Sequence, residues 1–143
     1  YKLRDVLKKY CQIVKNGGWN PIAIDSLEIT YKPSDSSKTI GQIRQRLALT
    51  GDLKLDSKSN VYDEELMAGI LNYKKRNGFN TDYLIASKHI QRMNIPIENY
   101  IKTIIANMER CRWIDPKLTK TDEYIIINIP SYQFFFKKMV KTN

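Results

Sequence analysis

The stretch YDEELMAGILNYKKRNGF, residues 62–79, decides how the rest of the chain is read. Asp63, Glu64 and Glu65 open it, and Lys74, Lys75 and Arg76 close it. Acids at the start and cations at the finish complement a helix dipole, and Gly78 just beyond suits a left-handed cap. Leu66, Ile70 and Tyr73 recur at helical spacing with Met67 beside them, so the stretch predicts an amphipathic helix over 62–76. The cationic triplet is then a helix end, and needs no nucleic acid to explain it.

Working outward, other helices follow by the same signs. Leu3, Val6, Leu7, Tyr10, Ile13 and Val14 predict a helix over 2–15, stopped by Gly17-Gly18, with Trp19 packing back. Residues 20–35 carry two prolines and turn formers and read as a loop with extended pieces. Ser36 or Ser37 caps the next helix, with Ile40, Ile43 and Leu47 on its buried face, Arg44 and Arg46 off it, and Gly51 at its end. Residues 52–60 read as a polar connector. A short helix is expected at 87–93 around His89, Ile90 and Met93. Pro96 opens a long helix with core positions Ile97, Ile101, Ile104, Ile105 and Met108, broken by Asp115-Pro116. Ile125, Ile126, Ile127 and Ile129, then Phe134 to Phe136 after Pro130-Ser131, read as strands. Apolar residues on both alternating faces suit a strand covered on both sides. The two strands are expected to pair as a hairpin, or with an extended piece from 22–31, and to lean on the last helix. The exposed Phe edge invites a second copy, so a homodimer through these strands is an expectation.

The chain has 143 residues and a net charge of +9, which favours an anionic partner. Basic residues are interleaved with acids along the chain, so a dedicated nucleic-acid surface is not favoured. Cys11 and Cys111 lie outside any CxxC or Cys/His pattern and read as two separate buried thiols on helix faces. The single histidine, His89, cannot build a multi-His metal site, and no phosphate-binding glycine loop occurs. No metal, cofactor or catalytic residue is expected. No apolar run reaches the length of a membrane span. The residues alone give a basic, mainly helical binding protein.

Five segments in order resemble a known family. They are NGGW (16–19), IGQIRQRLALTGDL (40–53), YDEELMAGILNYKKRNGF (62–79), MNIPIENYIKTIIANMERCRWI (93–114) and YIIINIPSYQFFF (124–136). The succession resembles the large bacterial L,D-transpeptidases that carry helical scaffold and peptidoglycan-binding-like parts ahead of a catalytic domain. The resemblance implies a mainly α fold: a scaffold helix and loop over 1–35, a peptidoglycan-binding-like helical domain over 36–94, and a long scaffold helix and linker over 95–121. Residues 122–143 would begin the catalytic sheet as a β-hairpin. The family's catalytic His and S/T-x-G-C motif are missing, and neither cysteine fits it, so no catalytic role is implied for this chain. The family's D-G-x-I-G-x-x-T turn aligns with residues 82–89, where Asp82 and Ile85 match while Tyr83, Ala86 and His89 depart. By that alignment Asp82, Tyr83 and His89 are the candidate ligand-binding residues. The implied role is non-catalytic binding or positioning of peptidoglycan, glycan or stem peptide, in the periplasm or cell envelope. The alternative expectation is a basic helical nucleic-acid-binding or protein-interaction module.

Overall fold

A computed structural model describes residues 2–24, 29–113, 117, 123–128 and 133–138. Among the described residues the fold is mainly helical, with two short two-stranded antiparallel sheets and an isolated bridge between Ser36 and Val61. It divides into two compact units, Tyr1–Lys102 and Thr103–Asn143, and the division falls within the last helix.

In the first unit, α1 (Lys2–Lys15) buries Tyr10 and Ile13. Leu3, Val6 and Val14 stay partly exposed at the edges of that stripe. Gly17 and Gly18 both take positive φ, and the Gly18 N–H returns to the Ile13 carbonyl at 2.8 Å, closing the helix. Helix α2 (Lys38–Thr50) is capped by Ser37, whose Oγ accepts from the Ile40 N–H at 3.1 Å. Helix α3 (Glu64–Asn77) is capped by Asp63, whose carboxylate accepts from the Leu66 N–H at 2.9 Å. Both helices end on left-handed glycines, Gly51 and Gly78, as their sequences require. At Gly69 the reason is space rather than dihedral: a Cβ there would stand 2.9 Å from Leu53 Cδ1. Leu53 therefore fills the seam between α2 and α3.

Strand β1 (Thr30–Tyr31) pairs antiparallel with β2 (Ile85–Ala86). Helix α4 (Ser87–Met93) follows β2 directly, and α5 (Ile97–Arg112) starts just after Pro96. The core joins Ile40, Ile43 and Leu47 of α2 to Leu66 and Ile70 of α3 and Ile90 of α4. Each such side chain contributes roughly 1.5–3 kcal/mol by leaving water.

Three cations depart from expectation. Arg44 and Arg46, read as lying off the apolar face of α2, are buried, and so is Lys74 in the last turn of α3. Arg44 is wholly enclosed. Its Nε donates to the Ser59 carbonyl at 3.1 Å and its Nη2 to the Val61 carbonyl at 2.9 Å, and it pairs with Asp63 at 2.7 Å and Glu65 at 3.1 Å. The connector over 52–60 is thus fastened at its far end by the Arg44 side chain. Its first two residues are also buried: Leu53 in the core, and Asp52 against Arg76 with contacts of 3.0 and 2.6 Å. Both cysteines are free, as read, but Cys11 is half-buried and Cys111 exposed, because nothing among the described residues covers that side of α5.

The second unit holds the end of α5 and a hairpin. On α5 Ile104 is buried, whereas Ile105 faces solvent, so the core stripe is narrower than the five-residue reading. Strands β3 (Glu123–Asn128) and β4 (Gln133–Lys138) pair antiparallel, with Ile125 opposite Phe136 and Ile127 opposite Phe134. The hairpin alternative is the one realised; the extended piece at Thr30–Tyr31 pairs with β2 instead. Among the described residues nothing supplies the expected cover: Ile125, Ile127, Phe134 and Phe136 are 55–67% exposed. Pro116, Ile129 and Pro130-Ser131, together with the Tyr124 and Ile126 side chains, lie outside the described residues.

Candidate functional site

Of the three residues picked out by resemblance, Asp82 and Tyr83 lie in the turn into β2 and His89 lies in α4. Asp82 is held on two sides: the Lys74 ammonium donates to its carboxylate, and the Leu84 N–H donates to the same oxygen at 2.8 Å. The Lys74 hydrogen bond, helped by that of Leu84, holds the Asp82 carboxyl below the usual range. Lys74 also donates to the Leu84 carbonyl at 2.6 Å, so one buried amine closes the turn. Tyr83 lends its carbonyl to the Tyr62 hydroxyl at 2.7 Å and leaves its ring exposed, beside exposed Leu84.

His89 is buried, and its Nδ1 accepts from the Ala86 N–H at 3.0 Å. That contact is half of a capping box, the third helical residue reaching back to the backbone before the helix. The ring meets Phe79 edge-on at 4.8 Å. Burial, with the nearby Lys74 and Lys88 cations, pushes the imidazole pKa down to about 4, so it is neutral at pH 7. Of the three candidates, His89 is buried and holds the local fold, Asp82 holds the turn with its carboxylate half exposed, and the Tyr83 ring is exposed.

A second constellation went unread in the sequence. Trp19, Tyr10 and Tyr100 meet edge-on with ring centres 6.0–6.3 Å apart, and the Arg46 guanidinium lies 4.4 Å from the Trp19 ring centre. Arg46 donates to the Met93 carbonyl at the end of α4 and to the Asn20 carbonyl at 2.6 Å. Asn94 clamps Ile22 through both its amide atoms, at 2.8 and 2.9 Å, and Gln42 Oε1 accepts from the Ala23 N–H at 3.0 Å. The segment after α1 is therefore fixed, and between it and α2 opens a cavity of about 150 Å³. On the other side of Trp19 and Pro21, a cavity of about 190 Å³ reaches Glu98. The sequence did hold one signal for this site, a Trp immediately after a glycine pair, which marks an aromatic held by a tight turn.

Among the described residues no group of three metal-ligating side chains occurs, and no helix is long and apolar enough to cross a membrane. Compared with the models of known protein families and with curated proteins, the chain matches none.

Proposed function

We propose that the chain is the non-catalytic, peptidoglycan-binding-like and scaffold portion of an L,D-transpeptidase-like protein of the periplasm or cell envelope, positioning murein glycan or stem peptide. One observation carries this reading: the segments that bear the resemblance are tied to each other by their own distinctive residues. Asp52 of LALTGDL grips Arg76 of YKKRNGF, and Arg44 of IRQRL grips Asp63 of YDEEL. Pairings between motif positions are what a shared module requires, since each motif alone has only local meaning. Contact with murein falls to the Tyr83 ring and its exposed neighbour Leu84, aided by long-range attraction between a +9 chain and acidic wall peptide.

Co-sedimentation of the whole chain with purified sacculi tests the proposal. The expected result is recovery in the pellet at low salt, reduced by Tyr83→Ala and by raised salt. Failure to sediment at low salt overturns it. A nucleic-acid role would instead show as steeply salt-dependent binding to duplex DNA. The burial of Arg44, Arg46 and Lys74 withdraws three cations from any such surface.

A further inference from the structure

Arg46 differs from the other buried cations. Arg44 has Asp63 and Glu65, and Lys74 has Asp82, but among the described residues no carboxylate lies within ion-pair distance of Arg46. Its partners are the neutral carbonyls of Met93 and Asn20. Those two bonds explain why an arginine stands here, since they tie the end of α4 to the segment after α1. They use two of its five N–H donors and leave its charge unneutralised. Against it lies an unmet donor: the Trp19 indole N–H is buried and has no acceptor among the described residues. Buried donors without partners are rare. Here one stands beside an unneutralised guanidinium, and both residues line the 150 Å³ cavity, so donors outnumber acceptors locally.

The rest of the lining continues that excess. Gln42 gives its oxygen to Ala23, so its amide nitrogen remains as donor, and Gln45 adds a second exposed amide. Among the described residues no acidic side chain lines this cavity, and Leu49 and Pro21 give it an apolar wall. The volume is several times the roughly 30 Å³ share of one water, enough for a carboxylate with a small side chain.

We propose that this cleft is a carboxylate-binding site that takes the C-terminal end of a peptide whose last residue is small. The carboxylate oxygens accept from the free Arg46 and Gln45 donors, the charge compensates the guanidinium, and a methyl-sized side chain rests on Leu49. Arginine suits the task because its planar fork matches a carboxylate. The inference does not rest on the murein reading, because it concerns a different face and a different chemistry from the Tyr83 surface.

The probe is N-acetylalanine, with N-acetylalaninamide as its neutral twin. The chain has two tryptophans, so the Trp19 indole N–H is readily followed by proton–nitrogen NMR. The acid should shift that resonance saturably with a roughly millimolar Kd, as expected for a ligand of this size. The amide should leave it in place. Arg46→Lys should weaken binding about tenfold. Gln45→Glu, a change at an exposed position that leaves the Arg46 contacts intact, should weaken it at least about fivefold by like-charge repulsion. No shift up to roughly 50 mM acid, an equal shift with the amide, or undiminished affinity in Gln45→Glu overturns the proposal. Loss of sacculus binding with the NMR response intact, or the reverse, separates the two proposals.

Discussion

Ile40, Ile43 and Leu47 on α2 lose all contact with solvent, whereas Ile125, Ile127, Phe134 and Phe136 on the hairpin keep more than half of their surface exposed. The two faces have equally apolar residues and regular spacing. What separates them is the second layer. Helix α2 meets α3, and buried Arg44 seals the seam by reaching loop carbonyls and half-exposed acids. Among the described residues the hairpin has its ladder and a surface ion pair, Lys138 with Glu123 at 2.8 Å, and two strands make a sheet only marginally stable in water. Hydrophobic pattern is a request for burial, and a covering element is what grants it.

The contrast can be broken most forcefully in the module. Leu66→Ala should cost about 3–5 kcal/mol, read as a fall in the urea midpoint, because Leu66 is fully buried and its cavity cannot collapse between two helices. Next, Arg44→Ala should cost about 3 kcal/mol in the same measurement. It strands the Ser59 and Val61 carbonyls and leaves Asp63 without its strongest partner. A loss below about 1 kcal/mol would show the seam to be held by apolar contact alone.

A smaller effect depends on pH. His89 has a folded pKa near 4 against an ordinary value of 6.5. Above pH 6.5 both folded and unfolded chains hold it neutral, so it adds no pH dependence. As pH falls from 6.5 toward 4, the unfolded chain takes up a proton that the folded chain refuses, and stability drops. The expected loss at pH 5 is about 2 kcal/mol relative to pH 7.5. His89→Gln keeps an acceptor for the Ala86 N–H and should flatten that slope. The smallest effect belongs to the hairpin: Ile127→Ala should move the unfolding midpoint by less than about 0.5 kcal/mol, since its side chain is already in water.

The helices were legible because their signals are local. Asp63 as cap, Gly51 and Gly78 as stops and the stripe Leu66, Ile70, Tyr73 all act within one turn of where they are read. The buried cations were missed because their partners are remote: Ser59 and Val61 lie 15 and 17 residues from Arg44. A trace of them was nonetheless present. Arg44 shares helical phase with Ile40, Ile43 and Leu47, and Lys74 with Leu66, Ile70 and Tyr73. A cation in phase with an apolar stripe signals a side chain reaching through the core edge to something beyond it. The pairing of Thr30–Tyr31 with Ile85–Ala86 left no trace, since two-residue strands carry no period. The Arg46 and Trp19 site was equally hidden, as it joins the segment after α1 to α2 and the end of α4. His89 was found by alignment with a turn, and its role as an N-terminal cap came only from geometry.

Lys74 is followed by Lys75 and the half-exposed Arg76, yet its own amine is sealed beneath the turn at 82–84. A reagent that acylates amines will modify Lys75 at once and Lys74 only when that turn lifts. The rate of acylation at this one position is therefore a clock for local opening, and any partner that clasps the Tyr83 face will slow it.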